Sequence, residues 1–173
     1  MKFYNLILLI IISLGGILLP RDFDHRDIPI HENGRIKPLD TFVRNQLLLI
    51  YGKRSIKSNA LPDELNSKGL SAINWFFDIA LNPEEGDKYK VFNISNPEVV
   101  ASLGLYWNPE HLYNRREILS GLKNQFDYIT NIQGKPENEL TQFDTHMLMV
   151  YSNVIQYQVL SYSLSCLLPL IQI

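Results

Sequence analysis

The sequence predicts a mainly α fold with a minor β element: a small helical domain behind an N-terminal hydrophobic anchor, ending in one long helix. Three features predict this class: an uninterrupted apolar run at the start, several capped segments of helical periodicity, and a 4-3 apolar spacing near the end. The composition is that of a folded protein, with 46% hydrophobic residues, 20% charged residues and a net charge of −2. One domain with an appended helix fits the length of 173 residues.

Charge and cysteine content exclude several classes of function. Lysine and arginine are scattered and the net charge is close to zero, so the chain lacks the basic surface expected of a nucleic-acid-binding protein. Cys166 is the only cysteine, which excludes an intrachain disulfide, a Cys-x-x-Cys redox pair and a Cys-x-x-Cys-His haem attachment site. The protein is therefore not itself a c-type cytochrome.

The first 20 residues predict an uncleaved signal anchor or transmembrane segment. Lys2 precedes an apolar run over residues 6–19, and a basic start followed by an apolar core is typical of export signals. No small-x-small cleavage site follows, and with its flanking residues the run comes near the lower limit of about 17 residues for crossing a bilayer. Cleavage of the segment and a buried core helix are the alternatives. With residues 1–20 as the anchor, we expect residues 21–138 to form an extracytoplasmic helical domain.

Residues 28–54 carry the densest local signals in the chain. An extended segment leads to a turn at residues 32–34, and Pro38 is predicted to open a helix because its φ is already helical. Asp40 lies in the first turn, where a negative charge meets the positive end of the helix dipole. The helix is predicted to end at Gly52 and to bury one apolar face, which holds Leu39, Phe42, Val43, Leu47 and Ile50.

The next segment predicts a surface loop, a helix and a strand. Residues 57–69 are rich in Ser, Asn, Asp, Lys and Pro, as surface loops are. Ser71 is predicted to cap a helix over Ala72–Leu81 that stops before Pro83. This helix is apolar on most of its circumference, so we expect it in the core. Residues 89–94 are the one strand candidate.

Two further helices are predicted from their capping residues. Asn96 caps a short helix that Pro97 opens and Gly104 ends. Asn114, three residues before Glu117, forms a capping box for a helix that is predicted to run to about residue 129. Its predicted buried face holds Ile118, Leu119, Leu122, Phe126 and Ile129.

Residues 139–173 predict one long amphipathic to apolar helix. The apolar residues repeat in a 4-3 pattern that only Ser161 interrupts, and no Asp, Glu, Lys or Arg follows Asp144. A helix docked along the domain and a membrane-proximal helix leading to a membrane part both fit this pattern. The repeating positions are Phe143, Met147, Val150, Val154, Tyr157, Leu164 and Leu168.

Few residues suggest a catalytic, metal-binding or ligand-binding role. The four histidines, at positions 25, 31, 111 and 146, do not lie at metal-ligand spacing, so no metal site is predicted, and surface or hydrogen-bonding roles are the default. The sequence has no Gly-x-Ser-x-Gly elbow and no phosphate-binding loop, so we expect no catalytic centre.

Arg35 and Lys37 flank a helix start and could bind a carboxylate. The alternative is structural, with Arg35 pairing with Asp40 or tying down the loop.

Residues 30–54 resemble a segment of the CcsA/ResC-type cytochrome c biogenesis proteins. These are the haem-handling membrane proteins of system II, in versions that carry an additional N-terminal extracytoplasmic region. The shared pattern is a Gly-Arg-x-Lys-Pro-Leu-Asp-Thr core, an Ala-Arg helix and a Gly-Lys end, and Val43 departs from it where a small residue is expected. The matching residues are Gly34, Arg35, Lys37, Pro38, Leu39, Asp40, Thr41, Arg44, Gly52 and Lys53.

The resemblance continues more weakly to residue 132 and lacks the haem-handling machinery. The family's tryptophan-rich WWD segment and its flanking histidines have no counterpart, because Trp75 and Trp107 are the only tryptophans and lie far apart. No haem ligand is therefore carried over to His25, His31 or His111, nor to His146.

The resemblance implies an accessory domain that docks or scaffolds on the periplasmic side of the bacterial cytoplasmic membrane. The implied partners are the membrane, a multi-helix haem-handling membrane protein or domain, and apocytochrome c. Haem would be handled by that system and not bound firmly by this chain. The alternative function is a structural subunit of another membrane complex that assembles through the long helix.

Overall fold

The computed structural model describes residues 24–62, 65 and 68–164. The predicted anchor over residues 1–20 lies outside them, as do residues 165–173 of the predicted last segment. The described residues are mainly helical, with seven α-helices and three two-stranded antiparallel sheets. A search of these residues found no helix whose length and apolar character would let it cross a membrane. The chain divides into two compact units, Met1–Leu39 and Asp40–Ile173.

The first unit contains a β-hairpin formed by β1 (Pro29–Glu32) and β2 (Arg35–Pro38). Asn33 and Gly34 connect the strands with positive φ angles of 51° and 74°, as a type I′ turn requires, so the predicted turn is confirmed. The prediction that Pro38 opens the helix is wrong by one residue. Pro38 ends β2 opposite Pro29.

The helix predicted after the hairpin is α1 (Leu39–Tyr51). Gly52 ends it as predicted: its φ is 77°, and its N–H donates to the Leu48 carbonyl over 3.0 Å. Val43, Leu47 and Ile50 are buried as expected, whereas Phe42 is only half-buried.

The predicted surface loop joins two short strands. These are β3 (Ser55–Lys57) and β4 (Gly69–Ser71), which pair in an antiparallel sheet that the sequence did not predict. Ala60 and Leu61, within the loop, are buried. The helix α2 (Ala72–Leu81) follows with the predicted bounds, and the Ser71 hydroxyl accepts a hydrogen bond from the Asn74 N–H at 3.3 Å.

The segment after α2 alternates short helices and strands. A single helical turn, α3 (Pro83–Gly86), precedes β5 (Phe92–Asn93), which pairs with β6 (Leu112–Tyr113). The strand predicted over residues 89–94 is therefore present but only two residues long. Between β5 and β6 lies α4 (Pro97–Ser102).

The Asn96 cap is confirmed. Its Oδ1 accepts hydrogen bonds from the N–H groups of Glu98 and Val99, at 2.9 and 3.3 Å. Gly104 follows α4 with a φ of 69°, which closes the helix as predicted.

The helix predicted from residue 115 to 129 is two helices, α5 (Arg115–Asn124) and α6 (Phe126–Gln133). The predicted capping box of Asn114 and Glu117 is confirmed. The break falls at Gln125, whose side-chain amide donates to the Ser102 carbonyl over 3.1 Å. The break leaves Phe126 55% exposed, so its predicted burial is wrong, while Ile118, Leu122 and Ile129 are buried as predicted.

The long last helix is α7 (Gln142–Tyr162), which begins three residues later than predicted because Thr141 and Asp144 form a capping box there. Asp144 N–H donates to Thr141 Oγ1 over 3.1 Å, and Thr141 N–H donates to Asp144 Oδ2 over 2.9 Å. Most of the predicted 4-3 face lies against the core: Met147, Val150, Val154 and Tyr157 are buried, whereas Phe143 and Leu164 at its two ends are half-buried.

Gly121 of α5 fixes the close approach of α5 to the end of α4. A Cβ added at Gly121 would lie 2.2 Å from the Leu103 carbonyl oxygen, far inside van der Waals contact. We therefore expect Gly121→Ala to lower the free energy of unfolding by about 2 kcal/mol, although alanine is intrinsically the better helix former. Urea denaturation followed by circular dichroism measures this change.

Gly134→Ala is the matched control, because an added Cβ there has no atom closer than 3.7 Å. We expect it to change the unfolding free energy by less than about 0.5 kcal/mol. Equal stability of the two variants would contradict the close α4–α5 packing.

Candidate docking site

Three of the predicted motif residues, Lys37, Asp40 and Arg44, have local side-chain partners, and Arg35 begins β2 opposite Glu32. Lys37 donates a side-chain hydrogen bond to Glu32 within the hairpin. Arg44 Nε donates to Asp40 Oδ2 over 2.7 Å within α1, so the ion pair considered for Arg35 and Asp40 is made by Arg44 instead. An exposed i,i+4 pair of this kind adds only about 0.3–0.5 kcal/mol to stability. Gly34, Pro38 and Thr41 occupy the turn, the strand end and the first turn of α1.

The structure does not gather the histidines into one site. His146 Nδ1 lies 2.8 Å from Asn96 Nδ2 and connects α7 to the start of α4. The His111 ring lies 4.5 Å from the Trp107 ring, centroid to centroid. His25 lies near Asp24, with Nδ1 3.7 Å from its carboxylate. Within the described residues, no group of three or more His, Cys, Asp or Glu side chains is placed to hold a metal ion.

The outer face of α7 is the most unusual surface of the second unit. Directly opposite the buried face, Leu148, Ser152, Ile155, Val159 and Tyr162 repeat with a second 4-3 spacing, and we call this set the outer stripe. Ile155, Val159 and Tyr162 are 44%, 58% and 62% exposed. One helix therefore carries apolar residues both toward the core and toward solvent.

The outer stripe also lacks charge. The helix has no Asp, Glu, Lys or Arg after Asp144, and beyond that residue its exposed side chains outside the stripe are those of Thr145 and Met149. A surface helix of a globular protein ordinarily carries charged residues on its solvent face. A contiguous exposed apolar patch rimmed by polar residues is typical of a protein or membrane contact surface.

The first helix extends this surface. Asn153 Nδ2 of α7 donates to the Leu49 carbonyl over 3.4 Å, which places α1 beside α7. Leu48 and Leu49 are both exposed. A shallow depression of about 530 Å³ lies near the end of α7, lined by Ile155, Gln158, Val159, Tyr162 and Ser163.

Buried contacts on the opposite face hold the stripe in place. The Tyr157 ring is fully buried and lies 6.1 Å from the Trp75 ring and 5.4 Å from the Phe92 ring. The Arg115 guanidinium lies 5.9 Å from the centre of the Tyr157 ring and donates to Asp87 over 2.8 Å. Burial, with the Asp87 charge as a second cause, raises the pKa of Tyr157 far above its ordinary value, so this side chain stays neutral.

The start of α7 is fixed by a second buried group. The Tyr128 hydroxyl of α6 donates a short hydrogen bond to Asp144 Oδ1. This bond, followed by the one from the Thr141 N–H, lowers the pKa of Asp144, and the same bond raises the pKa of Tyr128 to about 12. Ionised Asp144 is thus the form that caps α7.

The sequence reasoning missed the outer stripe. One 4-3 series, which includes Met147 and Tyr157, was predicted from the sequence, whereas the other apolar residues of α7 were assigned to no face. The missing signal was a second 4-3 series in the same segment, combined with the absence of charge. Two apolar series on opposite faces of one helix predict two contact surfaces.

The fold and the site define a mainly helical protein with an exposed, uncharged apolar helix face. Comparisons with known protein families, with characterised proteins and with solved structures found no match for this chain. The resemblance to the CcsA/ResC-type proteins therefore stays a prediction.

The Asp144 cap makes α7 sensitive to acid. Because the folded pKa of Asp144 is lowered, its stabilising contribution is complete above the ordinary Asp value of about 4 and is lost as the pH falls through the folded pKa. We expect the urea midpoint to fall on acidification and Asp144→Asn to flatten this dependence. Asp127→Asn, at an exposed position of α6, is the control and should leave the profile unchanged. An unaltered pH profile for Asp144→Asn would contradict the assignment.

Proposed function

We propose that this chain is an accessory docking domain of a membrane-bound system for c-type cytochrome biogenesis. The observation that carries the docking role is the outer stripe of α7, because it is apolar, uncharged and exposed. The motif at residues 34–44 supports the assignment to cytochrome c biogenesis through its resemblance to the CcsA/ResC-type proteins.

The character of the stripe specifies the kind of partner. An apolar helix face without charged flanks gains free energy when it is covered by another apolar surface. It offers no charge with which to select a strongly charged partner. We propose that the partner is a multi-helix haem-handling membrane protein or domain, with the chain held on the periplasmic side of the cytoplasmic membrane by residues 1–20.

The proposed roles of this chain and of its partner follow from the chemistry of haem attachment. The haem is joined to the thiols of a Cys-x-x-Cys-His segment that belongs to the apocytochrome, and this chain has one cysteine. The chain would therefore hold the partner and the apocytochrome close together in a fixed orientation, while the partner handles the haem. A fixed helix suits such a role, because a preformed surface loses little conformational entropy on binding.

A second function is favoured by the same helix. The outer stripe would serve equally well in a structural subunit of another membrane complex, which needs the docking surface but not the haem chemistry. The two functions differ in one observable, the covalent haem content of c-type cytochromes.

The double variant Ile155→Glu/Val159→Glu tests the docking surface. Both side chains are exposed, so we expect the fold to keep its urea midpoint while two buried carboxylates in the interface abolish binding. We expect copurification with membrane proteins and covalent haem in c-type cytochromes, seen by haem staining after denaturing electrophoresis, to fall at least tenfold. Phe126→Glu is the control, because it places one carboxylate at an exposed apolar position on α6, outside the stripe.

A strain deleted for the chain separates the two functions. Normal haem staining in that strain would overturn the cytochrome assignment. If the double variant also failed to enter a membrane complex in that case, the structural-subunit function would be supported. Unchanged assembly of the double variant would overturn the docking role altogether.

A further inference from the structure

A groove of about 340 Å³ lies beside the loop that connects α4 to β6. It shares no residue with the outer stripe, and no part of the proposed function uses it. We call it the Tyr106 groove. Its floor and walls include Lys90, Leu105, Tyr106, Leu112, Tyr113 and Glu117.

Hydrogen bonds fix the shape of the loop that forms one wall. The Tyr113 hydroxyl donates to the Tyr106 carbonyl over 3.1 Å. Asn108 Nδ2 donates to the Leu112 carbonyl over 2.8 Å, and Asn108 Oδ1 accepts from the Glu110 N–H at 2.7 Å. His111 adopts a φ of 57°, a conformation that costs a non-glycine residue roughly 1–2 kcal/mol. A strained residue in a firmly bonded loop is a feature typical of functional sites.

The fixed loop exposes two aromatic side chains. Tyr106 is 94% exposed and Trp107 is 51% exposed, although the Trp107 ring also contacts the His111 ring. Tyrosine and tryptophan are enriched among the residues that dominate binding at protein interfaces. Because the backbone beneath them is already held, little conformational entropy is lost when a partner covers them.

The groove also presents opposite charges. Lys90 is exposed and forms no ion pair with any described residue. Glu117 uses Oε2 to accept the Asn114 N–H at 2.8 Å in the capping box of α5, and its side chain is exposed. Leu112 and Tyr113, which also line the groove, are buried and mainly apolar.

A ligand cannot add a strand to this edge of the β5–β6 sheet, because Asn108 already occupies the Leu112 carbonyl. Recognition must therefore come from side chains. We propose that the Tyr106 groove binds a short peptide segment of a partner protein, in which an apolar or aromatic side chain lies between an acidic and a basic residue. The apolar side chain packs on Tyr106 and Leu112, the acidic residue pairs with Lys90, and the basic residue pairs with Glu117.

Trp107 provides the reporter for a binding test on the full chain. The chain has two tryptophans, and Trp75 is fully buried, so a change in the exposed-tryptophan fluorescence reports on the loop. The probes are the capped peptides Glu-Ala-Phe-Ala-Lys and Lys-Ala-Phe-Ala-Glu, which test both orientations, and the neutral Gln-Ala-Phe-Ala-Gln. We expect one charged peptide to bind with a Kd below about 1 mM and at least tenfold more tightly than the neutral peptide.

Three variants test the roles of the groove residues. Tyr106→Ala and Lys90→Glu should each weaken the better peptide at least tenfold. Glu117→Gln should weaken it severalfold without loss of stability, because glutamine also completes a capping box. Lys123→Glu changes an exposed cation of α5 outside the groove and should leave the affinity unchanged.

The opposite results overturn the proposal. Absence of binding by both charged peptides, or equal binding of the neutral peptide, would exclude charge-directed peptide recognition. Equal affinity for N-acetylphenylalanine amide would indicate a small-molecule site instead. The groove residues do not belong to the outer stripe, so a failure here would leave the docking role of α7 untouched.

Discussion

The burial of Tyr157 is the contact on which the second unit depends. Its ring meets Trp75 of α2, Phe92 of β5 and the Arg115 guanidinium of α5, so one side chain joins α7 to three other elements. Trp75 Nε1 is buried without a hydrogen-bond partner among the described residues, whereas the buried Tyr157 hydroxyl faces Asp87, which contributes to its raised pKa. Aromatic packing is the main contact at this junction, and truncating the ring would leave a cavity where four elements meet.

The two apolar faces of α7 repeat with the same 4-3 spacing but have different surroundings. The inner face must be apolar because it packs on α2, whereas the outer stripe is apolar although nothing in the described residues covers it. The Asp144 cap at the start and the Asn153 bond to α1 near the middle restrain the helix. The exposed stripe is consequently part of a fixed surface and not of a loosely attached helix.

Local signals in the sequence predicted much of the fold, and contacts distant in sequence account for the errors. The caps at Ser71, Asn96 and Asn114 lie within three residues of the groups that they bond, so they could be predicted. The break at Gln125 could not, because it involves a hydrogen bond to Ser102 and is accompanied by the close packing of Gly121 on Leu103. Strands β3, β4 and β6, of two or three residues each, are too short for a periodic pattern. Only burial distinguishes the outer stripe from the inner apolar face.

The contact between Asn96 and His146 determines which nitrogen of the imidazole carries a proton. Asn96 Oδ1 already accepts two backbone N–H groups, so its amide nitrogen faces His146 and must donate to Nδ1, which lies 2.8 Å away. A neutral His146 therefore carries its hydrogen on Nε2. Its free edge offers a donor, suited to a carbonyl or carboxylate, and no lone pair with which to coordinate iron or zinc. A helix cap 50 positions away in the sequence thus decides the coordination chemistry open to this histidine.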